Sequence, residues 1–597
     1  MPEQRRPGGR CAALALLLGL LVARPAAGQT WSIAGDALRQ LHAETLEEVL
    51  RACPLLVVER QGGAGLPYRV QAGAARPGEL LLVVDGEPWR DPWSGALLAE
   101  ELPLSLVEAV AVDLGPQLVA HGGEAIAGAI RVQTRRPSLP RVTTRIHLSR
   151  GRFRERGRHL AFATPPGDLA LSVGLDEVFS DGYPFSAVWN GEPAAASADP
   201  EVGTNRRRAL SARLRLAAAG AGPLELALDE SEWHFDRRGS RSDAWYRDLL
   251  RLGLALPASP LGAWQLEQRF LERRSGEGRA NDAAVALRWS LAADSLGSGF
   301  RLAGGAERHQ LGFSSAAGRS ALPRPARGWL TLQWRGGFAA GPELQGGLRL
   351  EAERERRGRL GAEARLAWAP AVLRGTRLRA ALATGSENAA WERDRLVGLG
   401  LWPAGLGRPG AAAAADPLLR GLLALQREGE TAWGQLCLSG ETGGRDWQAL
   451  AAGEGFAWRS LAGERRGALD LVLGARLRGL GGELRAAGSL RAEARERAAP
   501  LGEGSFYPLV LRGELALGRP FFARDARLDL SGGLELRGGR ADHRELLRAD
   551  VGVDLRVLAA RFWLRVVNAL DRPGEELPGF PSPPVSLRLG LDWHLDQ

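Results

Sequence analysis

From about Ser138 to Gln597, short runs alternate apolar with polar residues, and Gly, Pro, Asp and Arg separate one run from the next. In Leu210-Ser211-Ala212-Arg213-Leu214-Arg215-Leu216 the Leu and Ala positions share a face, while Ser and Arg take the other. Val551 to Val557 (VGVDLRV) does the same, and so does Leu169 to Leu175 (LALSVGL) after the turn Pro165-Pro166-Gly167-Asp168. Successive side chains of a strand point to opposite sides of its sheet, so a period of two means a strand with one apolar and one polar face. A soluble sandwich shows similar alternation, but one sandwich is far too small to use up this length. A closed membrane barrel of about 22 antiparallel strands, each roughly 10 residues long, accommodates it, with apolar positions toward lipid and polar ones toward a wet lumen.

The N-terminus carries an independent signal of location. Arg5, Arg6 and Arg10 precede the apolar segment Cys11 to Ala23, and Ala26-Ala27-Gly28 supplies small residues for a signal peptidase. This reads as an export signal over 1–28, cleaved after Gly28. The apolar segment falls short of the roughly 20 residues that span a bilayer, and no later segment reaches that length either. An exported chain without membrane helices is either soluble or a β-barrel. After cleavage only Cys53 and Cys437 remain. They can pair or stay as buried thiols, but they make no disulfide framework.

Between these regions, 29–137 is long enough for one small domain. Thr45 is placed to cap a helix, with Glu48 three residues on to return a bond to its amide. Leu46, Val49 and Leu50 then share a face. Cys53-Pro54 ends that helix, and Leu55–Glu59, Leu80–Val84, Ala109–Leu114 and Ala129–Gln133 read as strands.

The stretch Leu80 to Thr134 is distinctive in its order of motifs. An apolar run ends in Asp85-Gly86-Glu87-Pro88, then come Leu102-Pro103, Val107 to Val112, Gly115-Pro116, His121-Gly122-Gly123, and Gly128-Ala129-Ile130-Arg131-Val132. This resembles the plug domain of TonB-dependent outer-membrane receptors, with Asp85, Gly86, Pro88, Gly115, Pro116, Gly122 and Gly128 as the structural motif. Further on, Phe179-Ser180-Asp181-Gly182-Tyr183 and Asn568-Ala569-Leu570-Asp571 are similar to segments of the same family. In the last run, Leu587, Leu589, Leu591, Trp593 and Leu595 alternate, and Arg588, Gly590, Trp593 and Leu595 match the insertion signal of outer-membrane barrels, although Asp596 and Gln597 trail behind it. The resemblance implies a plug over 29–137 inside a barrel over 138–597, in a Gram-negative outer membrane. It also implies a function: uptake of a scarce solute such as a siderophore, another metal chelate, cobalamin or a glycan. The partners it implies are the TonB-ExbB-ExbD complex, the barrel assembly machinery, outer-membrane lipid and lipopolysaccharide, and a small-molecule ligand. In the family the segment after the Asp-Gly turn rises toward the outside, which makes Trp89, Arg90, Asp91 and Trp93 the candidate ligand platform; indole faces beside a guanidinium suit a ring-bearing or anionic solute. Packing against the barrel wall is the competing role for these tryptophans.

Three features depart from the family. Gln29 to Gly35 contains no TonB box, the segment that pairs with TonB as an added strand. The family's Ile-Arg-Gly strand end stands here as Gln71-Ala72-Gly73, and its Arg-Ile-Glu-Val as Ala109-Val110-Ala111-Val112. Those lost charges help lock the plug to barrel glutamates in the family, so a looser or differently held plug is expected. An uncoupled plug-barrel acting as surface receptor, adhesin or passive channel is therefore the alternative reading.

No enzyme or cofactor is expected. The chain has no lysine, which excludes a P-loop and Schiff-base chemistry. The net charge of +9 suits an anionic partner, but an exported chain with no binding module does not point to nucleic acid. The eight histidines, His42, His121, His147, His159, His234, His309, His543 and His594, are scattered without metal-ligand spacing, so no metal site is expected.

Overall fold

The computed structural model describes residues 31–596 with interruptions. In the N-terminal part 61–67, 76–79, 90–101, 122–124, 126 and 137–139 are outside the description. Among the barrel connections so are 185–200, 203–204, 218–222, 238–240, 257–261, 276–277, 296–297, 316–317, 322–325, 338–341, 354–355, 371–375 and 387–416. The same holds for 430, 444, 453–454, 463–464, 480–481, 496–506, 523–524, 539–544 and 578–579. The leader read over 1–28 and the candidate residues Arg90, Asp91, Trp93 and Gly122 all lie outside the described residues.

The alternating region closes into a barrel of 22 antiparallel strands. Gly318–Ala321 and Ala326–Gly337 both pair with Ser298–Ser315 and share one barrel position. Closure comes from the last strand, Ser586–Asp596, which pairs with the first, Thr143–Gly151, in the register His147↔Asp592. The apolar sets point outward as the period requires: Leu587, Leu589 and Trp593 are exposed, as are Val551, Val553 and Leu555. Arg207, Ala209 and Ser211, from the opposite face of Asn205–Leu216, are buried in the lumen. Among the described residues no helix is long and apolar enough to cross a membrane; the strands do the crossing, their backbone groups satisfied by the closed ladder. Tight turns at one mouth, such as that from Val557 to Ala560, alternate with long connections at the other, such as Ser386 to Pro417. In barrels of this kind the tight turns face the periplasm.

The lumen holds the small α/β domain. Its five-stranded sheet runs Trp31–Ala34, Val107–Leu114, Gly128–Thr134, Leu80–Val84 and Glu87–Pro88, with Leu80–Val84 parallel to Gly128–Thr134. A separate hairpin pairs Leu56–Arg60 with Tyr68–Ala72, and helices span Gly35–Gln40, Leu46–Arg51 and Leu118–His121. The strand Trp31–Ala34, the first helix and Tyr68–Ala72 are additions to the sequence reading. Thr45 caps its helix by accepting from the Glu48 amide at 3.4 Å, but the Glu48 carboxylate accepts from the amide of Glu44 rather than of Thr45.

The Asp-Gly turn has a clear local cause. Asp85 has a φ of 52°, and its carboxylate accepts from the Thr134 amide at 2.9 Å and the Thr134 hydroxyl at 2.6 Å, pinning the last plug strand. Gly128 opens that strand with a φ of 142°, and a side chain there would run into the Asp113 carbonyl. Only glycine tolerates this backbone and this approach. The plug core, with Leu46, Leu50, Leu82 and Ile130 among its members, is continuous with Leu249, Leu271 and Val472 of the barrel wall. Cys53 and Cys437 are both buried and free; burial pushes the Cys53 thiol up to about 12, so it is unreactive near neutral pH.

Candidate functional site at the plug and barrel interface

A plug that is to move must be held by bonds that can be exchanged, and the wall of this barrel supplies them as arginines. Arg537 donates to the carbonyl of Val58 at 3.0 Å, and Arg512 donates to those of Cys53 and Leu56 at 3.2 and 3.0 Å. Arg349 donates to Val119 at 3.2 Å, and Arg491 to Gly73. Guanidinium groups in a low-dielectric lumen make stronger bonds to carbonyls than neutral donors do. Carboxylates of the plug are matched as well: Arg588 meets Glu48 at 2.8 Å, and Arg288 meets Glu87.

The loss of the family's plug charges is thereby explained. At the Gln-Ala-Gly strand end, Gln71 donates to the wall carboxylate Glu493 at 2.9 Å, and the Ala74 amide donates to Ser439 at 2.9 Å. Ala72 stands where the family has a cation, the neighbouring Gln71 makes the contact to the wall, and most of the arginines named above sit on the barrel. The plug is held differently rather than loosely. This also accounts for part of the basic composition. Arg213, one of the polar-face arginines, lies 2.8 Å from Asp229 and 3.9 Å from Asp85.

Trp89 is buried, 5 % exposed, within the shared core, and the Arg247 guanidinium lies 4.1 Å from its ring centroid. Here it packs against the barrel wall. Pro88 ends the strand Glu87–Pro88, and Gly115 and Pro116 follow the end of Val107–Leu114, with Gly115 at a φ of 92°. In the closing strand Arg588 faces the lumen toward Glu48 and Glu155, Gly590 lies under the Trp563 ring, and Trp593 is exposed on the outer face next to Leu595.

Three of the eight histidines, scattered in the sequence, meet between plug and wall. His147 and His159 stand directly opposite each other on the first two barrel strands, Thr143–Gly151 and Arg156–Ala163. Their Nε2 atoms lie 3.1 and 2.8 Å from the carboxylate of Glu44 on the plug. His147 Nδ1 faces Asp592, and His159 Nδ1 lies 3.1 Å from Asp176. His42 of the plug continues the chain, 2.9 Å from Asp592 and 2.6 Å from Asp554. Burial opposes the charge on Glu44, but His147 and His159 hold its carboxyl well below the usual carboxylate range. Glu44, His147 and His159, with ligand atoms within 4.8 Å of one another, are a group among the described residues able to hold a metal ion. One sequence signal existed: the two histidines are equidistant from the turn that joins their strands, which places them across from each other once a hairpin is assumed.

Two water-accessible cavities border the plug at the tight-turn mouth. One, about 410 Å³, is lined by Asp85, Arg135, Arg213 and Glu267 among others. The other, about 570 Å³, lies between the first two plug helices and the wall, beside Glu48, Arg51, Arg512 and Arg588.

No protein-family model matches the chain. The solved structure of the copper transporter OprC superposes with a TM-score of 0.76 at 13% identity, covering 96% of this chain and 100% of that one. A ferric enterobactin receptor, PfeA, gives 0.75 at 13% identity with the same coverage. The siderophore receptor PirA from Acinetobacter baumannii gives 0.71 at 11% identity, covering 95% of this chain and 98% of that one. These likenesses establish the fold. Among curated proteins, the vitamin B12 transporter BtuB of Vibrio cholerae is 28% identical over 107 residues, only 18% of either chain. BtuB of Vibrio vulnificus is 30% identical over 105 residues, 18% of this chain and 17% of its own length.

Proposed function

We propose that this chain, a divergent example of the plug-in-barrel fold of TonB-dependent outer-membrane receptors, binds a scarce solute at its long-loop mouth and admits it to the periplasm when the plug is rearranged. The observation that carries this reading is the closed barrel filled by a separately built domain, held to the wall by hydrogen bonds and ion pairs many of which come from wall arginines. The solved structures of this shape are of a copper transporter and siderophore receptors, and the short sequence match is to a vitamin B12 transporter. A metal chelate or cobalamin is therefore the class of solute to screen first. The segment 90–101 that follows Trp89, carrying Arg90, Asp91 and Trp93, is the part of the plug assigned to ligand contact. Simultaneous Arg90→Ala and Trp93→Ala is expected to weaken solute binding while the barrel still folds; unchanged affinity would remove this segment from the site.

Energy coupling is tested by binding of the detergent-solubilised protein to the periplasmic C-terminal domain of the host's TonB. The companion variant lacks Gln29 to Ala34. Binding abolished by that truncation supports coupled uptake. The uncoupled reading has one observation in its favour: Trp31–Ala34 is engaged as an edge strand against Val107–Leu114. Absence of TonB binding by the folded barrel, together with solute passage that survives loss of the proton gradient, would establish it.

A further inference from the structure

We propose that Glu44 of the plug with His147 and His159 of the barrel forms a divalent transition-metal site, of the class that takes Zn²⁺, and that the ion latches the plug to the wall. The site is independent of which solute is carried.

Imidazoles and carboxylates alternate in the order Asp554, His42, Asp592, His147, Glu44, His159, Asp176, each His ring lying between two acids. An M²⁺ ion bound at Nε2 of His147 and His159 takes the place of any proton there, so both rings ligate in the neutral form.

Geometry points the same way. Both rings present Nε2 to the same carboxylate and turn Nδ1 to a separate acid, Asp592 and Asp176 respectively. This carboxylate–histidine–metal arrangement is what orients and strengthens histidine ligands. The supporting acids are themselves held. Asp176 accepts from the Ser105 amide at 3.3 Å and lies 3.7 Å from Arg207, while His42 anchors Asp592 from the far side. Ligands at about 2.0–2.1 Å from a tetrahedral ion stand about 3.3 Å apart; the 3.1 and 2.8 Å contacts to Glu44 open by a few tenths of an ångström, and the three ligand atoms, already within 4.8 Å of one another, draw in around the ion. A cavity of about 160 Å³ bordered by His42, His147, His159 and Asp592 reaches the turn Leu558-Ala559 at the periplasmic mouth. It supplies an entry route and room for a water as fourth ligand. Two imidazoles with one carboxylate suit Zn²⁺ rather than Mg²⁺ or Ca²⁺.

The two sides of the site come from different parts of the molecule: Glu44 precedes the helix Leu46–Arg51, whereas His147 and His159 belong to the wall. An ion there crosslinks plug and barrel near the N-terminal end of the plug.

The test uses the full mature protein in detergent, stripped with EDTA and titrated with Zn²⁺ calorimetrically and with Co²⁺ by absorption. The expected result is one equivalent of Zn²⁺, visible-band absorption of tetrahedral Co²⁺, and a rise in thermal unfolding temperature with Zn²⁺. Stoichiometric binding should vanish in His147→Ala/His159→Ala and weaken by about 10- to 100-fold in Asp592→Asn, while His234→Ala binds normally. Glu44→Gln keeps the wall histidines and should lose the thermal shift. No stoichiometric Zn²⁺ binding by a wild-type barrel of normal heat-modifiable mobility would overturn the site, as would binding unaltered in the double variant. Should the double variant not fold, Glu44→Gln decides: an undiminished Zn²⁺ shift in that variant refutes the latch.

Discussion

Gly590 lies beneath the indole of Trp563 on the neighbouring strand, and a Cβ there would press on that ring and stand 2.6 Å from the Leu148 carbonyl. Trp563 is itself buried and stacks on His42 with ring centroids 4.9 Å apart, so it cannot retreat without disturbing the plug contact. Overpacking of this kind costs about 1–3 kcal/mol. Gly590→Val is accordingly expected to lower the fraction of barrel that shows heat-modifiable mobility, and Trp563→Ala on the same background to restore part of it. Arg537 is a second single-residue test. It is fully buried and donates to Val58 while pairing with Glu535 at 2.9 Å. Arg537→Met should destabilise plug docking by about 1–3 kcal/mol, because a wall carboxylate and a plug carbonyl lose a charged donor. Faster amide exchange in Leu56–Arg60 with an unchanged barrel would register it.

At the level of elements, the short helix Leu118–His121 reports on docking through its histidine. Its backbone is clasped by the wall: the Val119 amide donates to Glu363 at 3.2 Å, and Arg349 donates to the Val119 carbonyl. Burial, with Arg349, Arg131 and Arg365 nearby, lowers the His121 pKa to about 4. A base whose pKa falls on docking is bound in its neutral form. Its contribution is therefore fully present above the ordinary histidine value of about 6.5 and is lost as pH drops through about 4. Exchange protection of 118–121 should decline over that interval in the native protein and stay flat in His121→Asn. The first helix and the strand Trp31–Ala34 belong to the same scale. Neither showed in the sequence because each is short, and tertiary pairing with Val107–Leu114 stabilises the strand more than local propensity does.

For the whole molecule, a barrel of 22 strands encloses a lumen far wider than its own side chains can fill, so the inserted domain is what closes it. A variant lacking 29–137 should insert and conduct ions in planar bilayers, whereas the protein with its plug should remain closed. A silent deletion variant with folded-barrel mobility would mean that the wall connections, not the plug, block the path. The plug shares a core with Leu249, Leu271 and Val472, yet arginine-to-carbonyl bonds are spread around the wall among its polar contacts. Such bonds can be exchanged one at a time for water, which lowers the barrier to rearrangement relative to an all-apolar seam.

What the amino-acid sequence determined by itself was everything that adjacent residues encode. The period of two set the strands and their outward faces, the Asp85-Gly86 turn and Gly128 marked the plug strands, and Thr45 marked its helix. It left the fate of Trp89 open between ligand and wall, because burial depends on what closes over a residue, and here that is Arg247 from another domain. It also did not reveal the histidine cluster. The hairpin links His147 to His159, but Glu44, Asp176 and Asp592 are spread from one end of the chain to the other, and no local rule links all of them to that pair. They meet because the last strand closes on the first and the plug is threaded through the ring they make. Ring closure is a property of the register of the whole barrel, and only the tertiary structure expresses it.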